Sequence, residues 1–509
     1  MGQKLRIVLV AALWVTVAVG VLKVGHAAAG PGEAGLAEAP ARVQQEGVQE
    51  GEANLSVEQR VDKIFAAYDN TRSPGCSLGV IQDGEFVLKR GYGMGNLEFG
   101  APLSPESVFR IGSTSKQFTA ASIVLLAEEG KLSLDDDVRQ YIHELPEFDP
   151  LVTIRQLVHH TSGYRDYLTL MDLAGKRDAD YYTDEDLLEM LSRQRQLNFM
   201  PSSRYTYSNT GYWLLSQLVK RTSGLSLREF AAEKIFEPLG MENTHFHDDH
   251  TEIVPNRAYG YAPTEDGGYV ISMTTLPMIG DGGVFTTVED LFHWDQNFYG
   301  PAIGGPEFLE QMLTRGVLND GEVLDYAFGL GHGTYRGLKT VSHGGSFVGF
   351  RAEMVRFPDE RFTVICLCNR GDANPTRLSY AVADVYLEER LEPVVDTGGD
   401  DEAAAGEEDT GGKPFVPKPE ELAELVGDYY SEELDVTYAL RVEGQGLALE
   451  SGLAPELGGS SGIIFAPVEA DVVKYRFLTL RFQRDSAGRV SGFELDAGRV
   501  TNLSFTRLP

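Results

Sequence analysis

Hydrophobic and polar positions over residues 57–392 follow both helical and strand-like spacing. The range 116–129 is an apolar segment with helical spacing, and Gly130 suits the position just after a helix C-terminus. Short apolar runs on either side of Asp83 and Gly84 indicate a hairpin with its turn at these two residues. This part of the chain is therefore predicted to be a mixture of helices and strands.

Residues 419–509 have a different pattern, in which apolar residues alternate with polar or small ones. Val436, Tyr438 and Leu440 alternate in this way, and a second such run follows at Leu478 and Leu480. Alternation places every second side chain on the same face of a strand. Short alternating strands separated by glycine turns predict a small antiparallel barrel or sandwich.

Composition and charge indicate a globular protein and argue against a nucleic-acid partner. The chain has 509 residues, of which 42% are hydrophobic, and its 44 Lys and Arg against 76 Asp and Glu give a formal net charge of −32. Such a composition is typical of a globular protein. An acidic chain lacks the basic surface that phosphate binding needs, so we expect no nucleic-acid partner.

The first 29 residues predict export. Lys4 and Arg6 precede an apolar run over 7–22, and alanines at 27–29 offer a cleavage site. We interpret residues 1–29 as a signal peptide or, if uncleaved, an N-terminal anchor. The protein is then expected in the periplasm or outside the cell, at a membrane only if the segment is retained.

Two acidic segments, 30–55 and 394–418, are rich in Gly, Ala, Glu and Asp and have few large apolar residues. Chains of this composition do not bury enough apolar surface to fold, so we interpret both as linkers. They delimit a predicted domain at 56–393 and a second one at 419–509.

Three cysteines are too few for a disulfide scaffold or a multi-cysteine metal site. Cys366 and Cys368 lie two residues apart in an apolar strand, so they face the same side and cannot easily bond each other. We interpret them as small buried hydrophobic residues.

A histidine-rich segment is a candidate metal site. Histidines two residues apart on a strand share a face and can both ligate a metal ion. Without a wider set of ligands in the sequence, we favour a solvated polar strand and loop. The segment reads His245-Phe246-His247-Asp248-Asp249-His250.

Three short motifs combine residue types suited to nucleophilic catalysis. A serine hydroxyl needs a base, and a lysine three residues later lies on the same helix face. A tyrosine can relay protons, an asparagine can bind a substrate amide or fix the lysine, and glycines let a strand approach a substrate closely. In chain order the motifs are Ser113-Thr114-Ser115-Lys116, Tyr207-Ser208-Asn209, and His343-Gly344-Gly345 followed by Ser346.

Together these motifs resemble the signature of the serine β-lactamase and penicillin-binding protein superfamily: S-x-x-K, then Y-x-N or S-x-N, then K-T-G. The flanking segments FRIGSTSKQFTA, VHHTSGYRDY and SHGGSFVGFRAEM are similar to its class C-like branch, which includes D-aminopeptidases, D-alanyl-D-alanine carboxypeptidases and esterases. The resemblance covers roughly residues 57–392. It implies an α+β fold of the β-lactamase/transpeptidase type, with an antiparallel sheet flanked by helices and a helical lobe.

Residues 419–509 resemble, more weakly, the lipocalin-like β-domain that follows some hydrolases of this branch. The similarity depends on Gly427, Asp428, Tyr429 and Tyr430 together with the strand pattern. In relatives such a domain borders the active-site cleft and restricts access, and we expect a small antiparallel barrel here.

The resemblance also implies a role for each motif residue. Ser113 is the implied acylated nucleophile, with Lys116 and Tyr207 sharing the general-base and general-acid work. No metal ion or organic cofactor is implied. The implied substrate-binding residues are Asn209, His343, Gly344 and Gly345, and the implied oxyanion hole consists of the backbone N–H groups of Ser113 and Ser346.

The third motif departs from the family pattern, because His343 and Gly344 stand where Lys and Thr are usual. A histidine is mostly neutral near pH 7 and lacks the permanent cation that attracts a substrate carboxylate. We therefore expect a serine hydrolase of small esters, amides or short peptides, with D-amino-acid substrates favoured. A β-lactamase or D,D-carboxypeptidase is the alternative enzyme, and a non-catalytic penicillin-recognising or scaffold protein is the alternative from another class.

Overall fold

The computed structural model describes residues 55–177, 180–393, 415–450 and 462–509. The predicted export segment 1–29, the linker 30–55 except its last residue, and the part of the second linker up to residue 414 lie outside the described residues. Those assignments and the domain boundaries stay predictions. Within the described ranges, the helices are all too short or too polar to cross a membrane.

The helices and strands of the described residues are as follows. The α-helices are α1 Val57–Phe65, α2 Lys116–Glu128, α3 Ile154–Val158, α4 Tyr167–Leu173, α5 Asp184–Ser192, α6 Asn209–Ser223, α7 Leu227–Ala231, α8 Glu237–Leu239, α9 Val288–Asn297, α10 Gly305–Leu313, α11 Pro375–Tyr386 and α12 Pro419–Glu424. The strands of the first part are β1 Cys76–Gln82, β2 Glu85–Tyr92, β3 Met94–Asn96, β4 Ala101–Pro102, β5 Phe109–Arg110, β6 His245–Phe246, β7 Tyr261–Pro263, β8 Tyr269–Ile271, β9 Val284–Thr286, β10 Gly331–Tyr335, β11 Leu338–Phe347, β12 Phe350–Phe357 and β13 Phe362–Cys368. The strands of the second part are β14 Gly427–Ser431, β15 Val436–Glu443, β16 Gly446–Leu449, β17 Ile463–Glu469, β18 Val472–Tyr475, β19 Leu478–Arg484, β20 Val490–Ala497 and β21 Val500–Arg507.

An antiparallel sheet of six strands, in the order β10-β11-β12-β13-β1-β2, forms the centre of the first domain. The inner strands β1, β12 and β13 are buried on both faces, and helices cover both faces of the sheet. Helix α11 packs on β12 and β13 and is covered in turn by α1, whereas α9 packs on β1 and β13. Helices α2, α3, α4 and α7 gather around α6 as a helical lobe. The predicted α+β architecture is confirmed.

The disulfide in this sheet corrects our interpretation of the cysteines. Cys76 and Cys368 pair across β1 and β13 and are bonded to each other. Cys366 is free and buried, as expected, but Cys368 is not merely a small hydrophobic residue. The two positions are far apart in sequence and meet only because β1 pairs with β13, which the local pattern does not reveal.

The second domain is a closed barrel, β14 to β21, in which β14 pairs with both β15 and β21. The predicted alternation fills its interior: Tyr438, Leu440 and Leu480 are fully buried. Closure decides between the two architectures that the pattern left open, barrel and sandwich.

The barrel packs against the helical lobe around one buried ion pair. The guanidinium of Arg165 donates to the Glu433 carboxylate at 2.7 Å and to the backbone oxygen of Thr501 at 3.0 Å. Asn198 donates to the backbone oxygen of Arg499 at 2.8 Å, and the Tyr438 hydroxyl donates to the Leu173 oxygen at 2.6 Å. These contacts fix both the β14–β15 region and the β20–β21 turn of the barrel against the first domain.

Candidate active site

Ser113 lies in a single 3-10 turn, Gly112–Ser115, that leads directly into α2. Lys116 begins α2, so its side chain returns along the helix face toward the serine. Its Nζ is 3.2 Å from the Ser113 Oγ. The side chain of Lys116 is wholly buried. The structure thus brings a serine hydroxyl and a buried amine within hydrogen-bond distance.

Burial controls the charge of this amine. Loss of hydration lowers the pKa of Lys116 to about 7; the nearby Asp281 carboxylate opposes the shift and Arg499 adds to it. Lys116 Nζ also donates to the backbone oxygen of Asp281. Near neutral pH a substantial fraction of Lys116 is therefore unprotonated and can accept a proton from Ser113.

Asn209 holds the lysine in place. Its Oδ1 accepts a hydrogen bond from Lys116 Nζ at 2.9 Å, and it is the first residue of α6. The Asn209 backbone N–H donates to the Asp166 carboxylate at 2.7 Å. Asp166 also caps α4, so two helix N-termini share one carboxylate. Of the two roles that the sequence left open for Asn209, the structure supports fixing the lysine.

Tyr207 forms one wall of the site. Lys116 Nζ is 4.8 Å from the centre of its ring, and the His160 ring packs against it at 4.2 Å. Its hydroxyl is buried and makes no hydrogen bond of ordinary geometry with a described residue. Burial raises the pKa of Tyr207 well above its usual value, and nearby Ser113 opposes the shift. Tyr207 is therefore a neutral phenol beside the nucleophile, able to donate a proton.

The third motif lies on β11 and packs against the nucleophile turn with almost no space between the two backbones. A Cβ on Gly345 would stand 1.9 Å from the Ile111 oxygen, and one on Gly112 would stand 2.8 Å from the Ser346 nitrogen. Gly112 has φ +50°, which few other residues adopt. These glycines let Ser346 and Ser113 lie on adjacent segments, as an oxyanion hole built from their N–H groups requires.

The His343 side chain is buried and bonded within the protein. Its Nε2 is 3.0 Å from the Tyr326 hydroxyl, and its backbone oxygen accepts from Thr114 Oγ1 at 3.2 Å. Burial, with a smaller contribution from Lys116, lowers the pKa of His343 to about 4. The imidazole is thus neutral at pH 7, so the third motif supplies no cation.

A cation reaches the site from the barrel instead. The guanidinium of Arg499, in the turn between β20 and β21, lies 4.8 Å from the Tyr207 ring centre, on which Lys116 also packs. Its Nη1 is 3.9 Å from the Asp166 carboxylate, and its side chain is 15% exposed. The barrel therefore contributes a charged side chain to the wall of the site.

Sequence reasoning missed Arg499 and two residues of the first domain. Asp281 lies in the segment MIGDGGVFTTVEDL, which is also similar to the class C-like branch, but the similarity assigns it no role; its buried carboxyl accepts from the Tyr167 hydroxyl at 3.0 Å. Tyr326 lies in no motif. A family-like flank was a usable signal for Asp281, whereas nothing in the local sequence distinguishes Arg499 from other hairpin arginines.

The Beta-lactamase family profile matches residues 61–387. A D-aminopeptidase of Gluconobacter oxydans is 30% identical over 303 residues, which cover 59% of this chain and 56% of that protein. A D-aminopeptidase of Brucella canis is 24% identical over 516 residues, covering 87% of this chain and 98% of that protein.

Among solved structures, an octameric penicillin-binding protein homologue from Pyrococcus abyssi has a TM-score of 0.57 and 24% identity, covering 88% of this chain and 98% of that one. At this identity the likeness shows a shared fold. The match to the Gluconobacter protein spans little more than half of its length, 56%. Because the family profile covers more than half of the chain and the motif residues meet in one site, the chain belongs to the Beta-lactamase family.

Proposed function

We propose that this protein is an exported serine hydrolase that cleaves small amides or esters, D-amino-acid amides and short D-peptides among them, through an acyl-Ser113 intermediate. The observation that carries the proposal is the buried Lys116, whose Nζ lies 3.2 Å from the Ser113 Oγ and whose pKa burial lowers to about 7. A helix-capping serine and a surface lysine would show neither feature.

The proposed reaction has two halves. Ser113 Oγ attacks the carbonyl carbon as its proton passes to Lys116, and the N–H groups of Ser113 and Ser346 stabilise the oxyanion, each by about 3 kcal/mol. Collapse of this intermediate breaks the C–N or C–O bond, and the leaving group takes a proton from Lys116, directly or through Tyr207. Water then attacks the acyl carbon of the acyl-enzyme while Lys116 accepts the water proton. The bond to Ser113 Oγ breaks, Ser113 takes the proton from Lys116, and the acid is released.

The amide specificity is supported by two relatives named D-aminopeptidase and by the neutral His343. Export is supported by the Cys76–Cys368 bond, because disulfides persist mainly in oxidising compartments. The predicted signal or anchor at 1–29 agrees with that compartment.

Labelling with a fluorophosphonate probe tests the nucleophile. We expect peptide mapping to locate the adduct on Ser113 and Ser113→Ala to lose both labelling and hydrolysis. Ser491→Ala, an exposed serine of the barrel, is the matched control and should keep both. Labelling of Ser113→Ala at the wild-type rate would disprove the assignment, and a protein that neither labels nor turns over any substrate would favour the scaffold alternative.

Arg499 favours a second candidate, a peptidase for substrates with a free carboxylate. A guanidinium at the site wall can replace the cation that His343 does not provide. The test compares a D-amino-acid p-nitroanilide, an N-acyl-D-alanyl-D-alanine peptide and nitrocefin. If this candidate holds, Arg499→Ala raises KM about tenfold for the peptide and for nitrocefin, which both carry a carboxylate, and the exposed Arg489→Ala changes nothing. Equal effects on the neutral anilide would refute it.

A further inference from the structure

The histidine-rich segment folds into a compact cluster that the proposed hydrolysis does not use. His245 begins β6, His247 follows two residues later on the same side, and Glu252 returns from the next turn. His247 is only 3% exposed, so our prediction of a solvated strand and loop is wrong for this residue. The cluster contains two imidazoles and a carboxylate at the edge of the β5-β9-β6 sheet.

Three potential ligand atoms of the cluster lie close to one another. His245 Nε2 is 3.2 Å from His247 Nδ1, His247 Nδ1 is 3.5 Å from Glu252 Oε2, and His245 Nε2 is 3.8 Å from Glu252 Oε2. Zinc binds such atoms at about 2.0–2.1 Å in tetrahedral geometry, which separates neighbouring ligands by about 3.3–3.4 Å. The observed triangle is close to that size, so an ion would need little rearrangement of the side chains.

Surrounding residues hold the three side chains in this arrangement. Arg228 donates to both carboxylate oxygens of Glu252 at 2.8 Å and to Asp248 at 2.9 Å. The Phe285 ring stacks on the His247 imidazole at 4.2 Å. A ligating carboxylate that is itself hydrogen-bonded is usual around metal sites; the second ring nitrogen of His247, Nε2, is buried and makes no hydrogen bond with a described residue.

We propose that this cluster is a zinc site, with His245 Nε2, His247 Nδ1 and Glu252 Oε2 as protein ligands and water in the fourth position. Two imidazoles and one carboxylate form a ligand set that zinc uses in proteins. The competing explanation is a shared proton between the imidazoles and a plain ion pair between Glu252 and Arg228.

The position of the cluster suggests a structural role. Strand β6 pairs with β9 through His245 and Phe285, and β9 pairs with β5, which leads to the Ser113 turn. His247 donates its backbone N–H to the Gly283 oxygen at 2.8 Å, two residues after Asp281. A metal ion at this point would brace the strands that carry the catalytic turn without touching the substrate.

Zinc binding can be measured on the full chain without a histidine tag. After treatment with EDTA, the protein is dialysed against micromolar ZnCl₂ and its metal content is determined by mass spectrometry. We expect one zinc per chain, a rise in Tm on zinc addition, and, with Co²⁺ instead, the intense visible absorption of a tetrahedral site. His245→Gln and His247→Ala should lose all three signals.

Matched variants make the result decisive. His250 belongs to the same segment, but its ring lies beside Tyr181, 6.0 Å between centres, so His250→Ala should bind zinc like wild type. Ser113→Ala should also bind zinc normally, which separates this proposal from the proposed hydrolysis. If His247→Ala fails to fold, the partly exposed His245→Gln decides alone. Wild type without stoichiometric zinc, or His245→Gln with full zinc, would overturn the proposal.

Discussion

At the scale of single residues, Lys116 is the group whose protonation decides the chemistry. Its neutral form is the proposed base, and burial lowers the pKa of its amine from 10.5 to about 7. A basic group with a lowered pKa loses its proton as pH rises, so the active fraction increases through neutrality and is lost in acid. The proposed base therefore changes its protonation state near physiological pH.

We accordingly predict that the acylation rate rises with pH along a single ionisation near pH 7 and then stays level. Lys116→Arg keeps the positive charge at every accessible pH and should reduce the rate by about 10² to 10⁴-fold. Stopped-flow measurement with a p-nitrophenyl ester checks this profile. Lys339→Ala, an exposed lysine, is the control, and a profile unchanged in Lys116→Arg would contradict the base assignment.

Gly345 allows a second prediction at this scale. Its missing Cβ would stand 1.9 Å from the Ile111 oxygen, a backbone atom that cannot move without shifting the nucleophile turn. Gly345→Ala should therefore cut kcat/KM by 10²-fold or more. At Gly344 the nearest atom is the Glu353 carboxylate oxygen at 3.1 Å, which belongs to a side chain, so Gly344→Ala should be milder. Equal rates for the two variants would refute the argument.

The site residues found from sequence share one property: each stands in a short motif beside others of the same chemistry. Ser113, Lys116, Tyr207 and Asn209 could be named because their spacing and flanks are characteristic. Arg499 could not, since its function depends on how two domains pack. The sequence did single out the histidines of the 245–250 segment as a candidate metal site, but not Glu252, which comes close to them only when the following turn folds back.

At the scale of elements, local pattern predicted the hairpin of β1 and β2 and the extent of α2 within one residue. The predicted ends of helices were less accurate where a capping residue determines the first turn. The apolar spacing of residues 377–391 predicts a helix over that range. Helix α11 instead begins at Pro375, because the Asn374 side chain caps it and proline suits the first turn, and it ends at Tyr386. Which strands pair is a long-range property, so the pairing of β1 with β13 and its disulfide were not predicted.

The disulfide joins two inner strands of the sheet, so its loss should lower the stability of the fold. We predict that reduction lowers the free energy of unfolding by about 2–4 kcal/mol. Urea denaturation with and without dithiothreitol measures the difference. Cys366→Ala should keep this redox dependence, whereas Cys76→Ala/Cys368→Ala should lack it; a reduced wild type of unchanged stability would contradict the prediction.

At the scale of the whole molecule, the interface between barrel and helical lobe contains a fully buried charge. The Arg165 side chain is 0% exposed and its partner Glu433 is 9% exposed. Burial lowers the pKa of Arg165 and raises that of Glu433, so each charge depends on the other. Such pairs contribute little net stability when intact but are costly to break.

Glu433→Ala should therefore destabilise the protein by about 3 kcal/mol, because Arg165 keeps a buried charge without its counter-ion. Glu432, its neighbour, pairs with Arg195 at the surface and is 66% exposed, so Glu432→Ala should cost less than about 0.5 kcal/mol. Thermal and urea unfolding of both variants provide the comparison. Similar losses of unfolding free energy in the two variants would contradict the prediction that breaking the buried pair costs more than breaking the exposed one.

The position of Arg499 near the end of the chain also affects when, during synthesis, the wall of the active site is completed. A ribosome makes the chain from its N-terminus, so Ser113, Lys116 and Tyr207 exist well before the turn between β20 and β21 has been synthesised. During that interval the residues of the nucleophile and its base are already present, while the segment that carries Arg499 is still missing. Selectivity that depends on this guanidinium would then arise last in biogenesis, after the barrel has closed and docked.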